Sequence, residues 1–238
     1  MSTRPEPIHV LEAIATTRSM RRLKTDPIPD EVLRSILEAA TRAPSGSNQQ
    51  TWSFIVVRDP DLKKAIQRIY HEVAQNYFET APRRSPGKDG ERVMSRVRSS
   101  AAYLAEHLHE APALVFCCIR GEPRFGLGAS IYPAVQNLML AARAYGIGST
   151  LTTFHMRRED EIKQLLDIPD EVHTAALIPL GYPTGRWRRG PRRPLEDVVF
   201  ADRFGVKMWD DDDKPFTQEM RSASADQDDE FDMRSESA

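Results

Sequence analysis

Two pairs of arginines are the side chains in this sequence best suited to binding a small anion. Arg18 and Arg21 lie in the stretch TTRSMRRLK, and Arg192 and Arg193 lie far along the chain in GPRRPLED. On a helical turn, Arg18 and Arg21 would share one face. Cationic side chains also stabilise the C-terminal end of a helix, which is the alternative interpretation of the first pair. The neighbouring Arg22 and Lys24 are expected to be solvated surface side chains. Convergence of both pairs on one group would favour a phosphate, because guanidinium groups bind phosphate in a bidentate manner.

Uncharged hydrogen-bonding side chains gather in two further stretches. APSGSNQQTW combines turn-forming residues with amides and hydroxyls, which lie at Ser45, Ser47, Asn48, Gln49 and Gln50. Its composition is that of an ordinary turn, and the same donors and acceptors also suit the edge of a planar heterocycle. In STLTT, Thr152 and Thr153 place hydroxyls at a predicted strand end, although threonine is also a good strand former.

The sequence lacks the patterns of metal-dependent and nucleophilic catalysis. Its histidines are scattered, and neither His-Glu-x-x-His nor Cys-x-x-Cys occurs, so we expect no metal site. Ser45 lacks the strand and the Gly-x-Ser-x-Gly context of a serine hydrolase. The Gly-x-Gly of FGLGAS opens no dinucleotide-binding unit at the required spacing, and there is no Walker A sequence. The remaining prediction is a polar, anion-binding site rich in amides.

Composition narrows the class of protein. The 238 residues carry a formal net charge of -2 and are 40% hydrophobic, which fits one substantial domain with a real core. The near-neutral balance argues against a general nucleic-acid binder. No apolar run approaches the roughly 20 residues that span a bilayer, and the N-terminus has no apolar signal region. Cys117 and Cys118 are adjacent, so we expect buried thiols, no disulfide and a cytoplasmic location.

Hydrophobic periodicity predicts alternating helices and strands. Helices are expected over about 8–17, 26–43, 60–79, 91–109, 132–146 and 158–168, and strands over about 52–58, 113–119, 147–153 and 174–183. Residues 80–92 and 122–130 read as loops, and the first helix places Ile8, Leu11, Ile14 and Ala15 on one apolar face. The pattern predicts an α+β fold in which helices surround a central mixed or antiparallel sheet of about four to five strands.

The last thirty residues differ in character from the rest of the chain. The stretch that begins WDDDDKPF is acidic and serine-rich with scattered large apolar residues. Such a composition is typical of a disordered tail, and packing on a partner subunit is the alternative. We therefore predict one domain over 1–208 and an acidic tail over 209–238.

Five stretches, taken together and in order, resemble the FMN-dependent nitroreductase family over about residues 8–205. They are TRSMRRL, RAPSGSNQQTWSFIVV, YPAVQNLMLAARAYGIGSTLTT, IPLGYP and RRPLEDVV. GERVMSRVRSSAAYLAEHLHEAP is similar to an actinobacterial-type branch of that family. The resemblance implies a nitroreductase-like fold and an interdigitated homodimer with two FMN sites at the subunit interface.

The resemblance also assigns residues to the cofactor. It implies that Arg18, Ser19 and Arg21 hold the FMN phosphate and the pyrimidine side of the flavin. The other residues that it implies for FMN binding are Pro44, Ser45, Gly46, Ser47, Asn48, Leu151, Thr152, Thr153, Arg192 and Arg193. Candidate walls of the acceptor pocket are Ser47, Phe125, Tyr132 and Phe154. The chain departs from the family at Thr51, where many members have proline before the tryptophan, and in its acidic tail.

The implied reaction has two steps. NADPH or NADH gives hydride to the flavin, and the reduced flavin then passes electrons to a small-molecule acceptor such as a nitroaromatic, a quinone or an activated alkene. The flavin carries the chemistry, so we expect no protein group as catalytic residue. Alternatives within the flavoproteins are reductive dehalogenation and oxygen-dependent breakdown of the flavin. A further alternative is a non-catalytic flavin-binding or sensor protein.

Overall fold

The structure, a computed structural model, describes residues 8–80, 87–121, 127–190 and 192–209. These residues fall into two compact units that divide after Gly190. Phe125 and nearly all of the predicted acidic tail lie outside the described residues. The predicted division into 1–208 and 209–238 therefore stays a prediction.

A four-stranded antiparallel sheet forms the centre of the first unit, in the order β1-β2-β4-β3. The strands are β1 (Trp52–Val57), β2 (Ala113–Arg120), β3 (Gly148–Ser149) and β4 (Val172–Gly181). The longer strands are rich in β-branched and aromatic side chains, which pack well on a pleated surface. The α+β class and the antiparallel sheet predicted from the sequence are confirmed.

Helices cover both faces of this sheet. Those of the described residues are α1 (Val10–Thr16), α2 (Asp30–Thr41), α3 (Pro60–Thr80), α4 (Gly87–His107), α5 (Leu127–Ala144) and α6 (Glu159–Leu165). None of the helices in the described ranges is long and apolar enough to cross a membrane.

Strand β2 separates two layers of hydrophobic core. Val115, Cys117 and Ile119 point to the layer that contains the buried residues of α2 and α5. Leu114 and Phe116 point to the opposite layer, which contains buried residues of α3, α4 and α6. This alternation follows from the two-residue period of a strand, and it explains why β2 reads as a continuous apolar run.

The strand predicted over 147–153 is wrong in its length, and Pro179 accounts for the difference. β3 pairs with β4 at Ser149↔Leu180, and Thr152 meets Leu177 again in the same register as an isolated bridge. In an antiparallel ladder, alternate pairs exchange both hydrogen bonds, so Thr150 is the next residue expected to do so, opposite Pro179. Proline has no N–H, so the ladder is interrupted there while β2 and β4 stay paired.

Two other predictions also need correction. Residues 87–90, predicted as a loop, belong to α4, and α5 begins at Leu127 and not near residue 132.

The apolar side chains of α1 lie mostly outside the core of the unit, since Leu11 is 55% exposed, Ile14 is 52% exposed and Ala13 is the buried residue. The last turn of α1 contacts α5 instead through Thr16, whose hydroxyl lies 3.0 Å from Arg143 Nε.

The second unit, described over 192–209, contains little regular structure. It has a short 3-10 turn at Leu195–Asp197 and an isolated antiparallel bridge between Phe200 and Lys207. The rings of Phe200 and Phe204 are 4.6 Å apart between centroids. The irregular character expected for this part of the basic arm is thus observed.

Candidate functional site

The predicted phosphate-binding segment, residues 18–21, runs alongside β3. Ser19 forms a parallel bridge with Ser149, and the Met20 N–H donates to the Ser149 carbonyl at 2.9 Å. Gly148 makes this approach possible, because a Cβ on it would lie 2.9 Å from Met20 Cβ. Backbone pairing to the sheet therefore fixes the segment, and its side chains at positions 18, 19 and 21 are left to bind other groups.

Arg18 and Arg21 differ in exposure, but in the described parts of the chain neither forms an ion pair with a carboxylate. Arg18 is exposed, as is Ser19 between them, whereas Arg21 is half-buried. Burial lowers the pKa of the Arg21 guanidinium, although the nearby Tyr70 raises it in part. A half-buried cation without a carboxylate is costly to keep out of water, and an anionic ligand would reduce that cost.

Thr152 brings the second predicted segment to the first. Its backbone N–H and C=O both pair with Leu177 of β4, at 3.0 and 2.9 Å. Its hydroxyl lies 2.6 Å from the Tyr70 hydroxyl, and the same phenol interacts electrostatically with Arg21. The structure thus joins Arg21 and Thr152 through one side chain of α3, while Leu151 and Thr153 are exposed beside them.

The Pro44–Asn48 stretch forms a strained turn between α2 and β1. Ser47, Asn48 and Gln50 all have positive φ, at 50°, 53° and 49°. Residues other than glycine seldom occupy this left-handed region, and such strain clusters where backbone groups meet ligands. The turn is held by the Ser45 hydroxyl, which accepts from the Gln50 N–H at 3.0 Å.

This turn is also connected to the start of α5. The Gly46 N–H donates to the Ser130 hydroxyl at 3.2 Å. Two residues further along α5, the Tyr132 hydroxyl donates to the Ala175 carbonyl at 3.3 Å. Ala175 is the extra residue of a β-bulge, since the pairing of β2 with β4 shifts between Cys117 and Cys118. Bulges are common next to active sites, and here the bulge provides a carbonyl for Tyr132.

The predicted acceptor-pocket residues have different environments. Tyr132 is 41% exposed, and Ser47 is exposed at the top of the strained turn. Phe154 is half-buried in a cluster of aromatic rings, with centroid distances of 5.4 Å to Tyr70, 5.2 Å to Tyr77 and 6.0 Å to Phe78. Tyr132 and Ser47 are thus more accessible to a substrate than Phe154.

Arg22 is exposed as predicted, and its guanidinium also stacks on the ring of Tyr103 in α4, 3.9 Å from the centroid. Its carbonyl accepts from the Thr184 N–H at 3.1 Å. Arg22 thus ties the segment that follows Arg21 to a neighbouring helix, whereas Lys24 is exposed as predicted.

Arg192 and Arg193 belong to the second unit. Both are exposed, and the Arg193 guanidinium donates to the Asp197 carbonyl at 3.1 Å. Their predicted role at the FMN phosphate stays a prediction. Among the described residues, no group of His, Cys, Asp and Glu side chains could hold a metal ion.

Sequence reasoning missed Tyr70 at this site. Tyr70 lies among the apolar residues of α3, and its helical spacing predicts an ordinary core position. A polar hydroxyl on a core-facing helix position is the one signal that could have identified it, because a buried tyrosine hydroxyl needs a hydrogen-bond partner.

Comparison with known proteins shows which family the chain resembles. Residues 14–182 match the Nitroreductase family. A protein named NADH dehydrogenase from Thermus thermophilus is 34% identical over 197 residues, which cover 76% of this chain and 90% of that protein. Iodotyrosine deiodinase 1 from Rattus norvegicus is 28% identical over 182 residues, which cover 73% of this chain and 61% of the deiodinase.

A solved structure shows the same fold. The crystal structure of oxidized iodotyrosine deiodinase bound to FMN and 3-iodo-L-tyrosine superimposes with a TM-score of 0.70 at 26% identity. The match covers 82% of this chain and 100% of that chain. The chain belongs to the Nitroreductase family, a family of oxidoreductases, and the nitroreductase-like fold expected from the sequence is confirmed.

Proposed function

We propose that this protein is an FMN-dependent oxidoreductase that takes hydride from NADPH or NADH and passes it to a small organic acceptor. The observation that carries the proposal is Arg21, which is half-buried, has no carboxylate partner in the described residues and is linked through Tyr70 to Thr152. A site with an uncompensated cation beside hydroxyl donors suits a ligand that combines a phosphate with a polar ring edge.

The side chains present fit FMN. Arg18, Ser19 and Arg21 would bind its phosphate and pyrimidine side, and Thr152 and Thr153 would offer hydroxyls to the flavin. The turn at 44–48 would lie against the ring, with Ser47 and Asn48 held in the left-handed region. When bound, the flavin supplies the hydride-transfer chemistry, so the protein's own tasks are to bind it, orient it and admit the acceptor.

Positive charge near the reduced flavin has a second role. A reduced flavin is more electron-rich than an oxidised one, and a nearby guanidinium stabilises the additional negative charge. Arg21 is the candidate, because its partial burial weakens the screening of its charge by water. Nitroaromatics, quinones and activated alkenes are the proposed acceptors, and Tyr132 and Ser47 are the proposed pocket residues in the described part of the chain.

Reductive dehalogenation is the second candidate, and the relatives favour it specifically. The FMN-containing structure with the TM-score of 0.70 holds 3-iodo-L-tyrosine, and the rat relative carries the name of a deiodinase. The same flavin site would then supply two electrons to a halogenated phenol, and with a proton from solvent a carbon–hydrogen bond would replace the carbon–halogen bond as halide leaves.

One experiment separates these possibilities. Purified protein is saturated with FMN and titrated anaerobically with NADPH and NADH, and flavin bleaching is followed at its visible band. The reduced protein is then mixed with a nitroaromatic, a quinone, an activated alkene or 3-iodo-L-tyrosine, and reoxidation and product are measured. A protein that cannot bind FMN refutes the proposal, and FMN that no nicotinamide reduces favours the non-catalytic alternative.

We also propose a homodimer with an interface that includes α1. The apolar side chains Val10, Leu11 and Ile14 are 59%, 55% and 52% exposed, which is unusual for neighbouring positions on one helix. Sedimentation of the native protein and of Leu11→Lys tests this, and a monomeric native protein would contradict it. Two buried free thiols suit a reducing compartment, and we propose the cytoplasm as the location.

A further inference from the structure

Tyr70 is the buried side chain at the point where the two predicted cofactor segments meet. It lies on α3 with only 2% of its surface exposed. Its hydroxyl is 2.6 Å from Thr152 Oγ1, and its ring packs against Phe154 at a centroid distance of 5.4 Å. A hydroxyl this close to a second hydroxyl forms a short hydrogen bond, so the two groups restrict each other's orientation.

The protonation state of Tyr70 follows from its surroundings. Burial raises the pKa of the phenol, and the hydrogen bond to Thr152 and the charge of Arg21 lower it only in part. The phenol therefore keeps its proton at neutral pH and has one hydrogen to donate.

The charge of Arg21 acts on the direction in which that hydrogen points. A cation attracts the lone pairs of a nearby phenolic oxygen and repels its hydrogen, which favours an O–H directed away from the guanidinium. Thr152 Oγ1 is the hydrogen-bond partner of this phenol in the described residues. Either hydroxyl could donate in this pair, and the charge of Arg21 favours Tyr70 as the donor and Thr152 as the acceptor. The proton of the Thr152 hydroxyl is then left for another acceptor.

We infer that Tyr70 is a positioning residue that holds the Thr152 hydroxyl as an obligatory hydrogen-bond donor toward the bound flavin. The inference rests on the proposed function, because FMN is the acceptor of that hydrogen bond. Tyr70 touches neither substrate nor flavin in this scheme and acts only through Thr152. This positioning role also explains why a polar residue occupies a core position on α3.

The first test removes only the phenolic oxygen. Tyr70→Phe keeps the ring packing against Phe154 but no longer orients Thr152, so we expect the Kd for FMN to rise by about 3- to 10-fold. Reduced FMN, the more electron-rich form, should lose more affinity than oxidised FMN. If the ratio of these losses is about 3- to 10-fold, the midpoint potential falls by about 15–30 mV for a two-electron couple.

Tyr77→Phe is the matched control. Tyr77 lies two turns further along α3 and packs against the same Phe154, but it is 40% exposed. Its loss of a hydroxyl should leave both the Kd and the midpoint potential of FMN unchanged. Circular dichroism and thermal unfolding of both variants establish that they fold like the native protein.

A double-mutant cycle distinguishes positioning from a general structural effect. If Tyr70 acts through Thr152, then Tyr70→Phe has no further effect on the Kd for FMN in a Thr152→Val background. Additive effects would overturn the inference, as would a Tyr70→Phe protein with native FMN affinity and potential. Native protein that fails to bind FMN refutes the proposed function itself, whereas native binding with an ineffective Tyr70→Phe refutes only the role of Tyr70.

Discussion

Acidification should destabilise the folded protein through His155. This side chain is fully buried at the start of the segment after Thr153, and its ring meets Phe116 edge-on at 5.3 Å. Neither ring nitrogen has a hydrogen-bond partner among the described residues. Burial lowers the pKa of His155 to about 4, and the charge of Glu159 opposes this only in part. His155 therefore binds a proton much less readily in the folded state than in the unfolded chain.

The magnitude and the sign of the pH effect on the free energy of unfolding follow from the difference in the pKa of His155 between the folded and unfolded states. An unfolded imidazole has a pKa of about 6.5, so the stability that neutral His155 contributes is fully present above that pH. It is lost as the pH falls toward 4, and the total loss is about 3 kcal/mol. Between pH values of about 7.5 and 5, the expected loss is about 2 kcal/mol.

The assay is urea unfolding across this pH range for the native protein and for His155→Leu, which replaces the imidazole with an apolar group of similar size. Protein concentration and FMN are held constant, because both ligand binding and association add to apparent stability. Glu159, which accepts from the Thr174 N–H and hydroxyl, titrates in both proteins, so its effect cancels in the difference. The reasoning is refuted if the two proteins lose stability in parallel between these pH values.

Three further substitutions test the site and the core. Arg21→Met should raise the Kd for FMN by about 10- to 100-fold in a fluorescence titration, through loss of a charge-assisted hydrogen bond, while Arg68→Met on the outer face of α3 should not. Gly148→Ala should lower the free energy of unfolding by about 1–3 kcal/mol and weaken FMN binding, since the new methyl group meets Met20 Cβ at 2.9 Å; an unchanged denaturation midpoint would contradict this. Leu114→Ala, at a fully buried position of β2, should cost about 2–5 kcal/mol in urea unfolding, and a cost below about 1 kcal/mol would contradict the packing described.

Local patterns in the sequence predict the parts of the fold that depend on neighbouring residues. The continuous apolar run of β2 and the helical periodicity of α2 are local patterns, and both elements occur where they are expected. The interruption of the strand after Ser149 depends on Pro179, and only the pairing register shows that Pro179 lies opposite Thr150. Register is a long-range property that no local pattern contains.

At the candidate site, too, long-range contacts could not be predicted from local sequence patterns. The arginine and hydroxyl clusters are visible in the sequence, and so is their resemblance to a flavoprotein family. The contact that links Arg21 to Thr152 is not visible, because Tyr70 has the spacing of a core residue and reaches Thr152 across 82 positions. Likewise, the stacking of Arg22 on Tyr103 depends on where α4 packs, and composition alone predicts a solvated side chain.

The adjacent cysteines offer a way to observe how the sheet opens. Burial raises the pKa of both thiols, to about 12 for Cys118, so neither supplies the thiolate that alkylating reagents attack in the folded protein. Cys117 belongs to one core layer and Cys118 to the other. In Cys117→Ser and Cys118→Ser proteins, the labelling rate of the remaining thiol would report the opening of one layer at a time. Equal rates would mean that the helices on the two faces of the sheet separate from it in a single cooperative event.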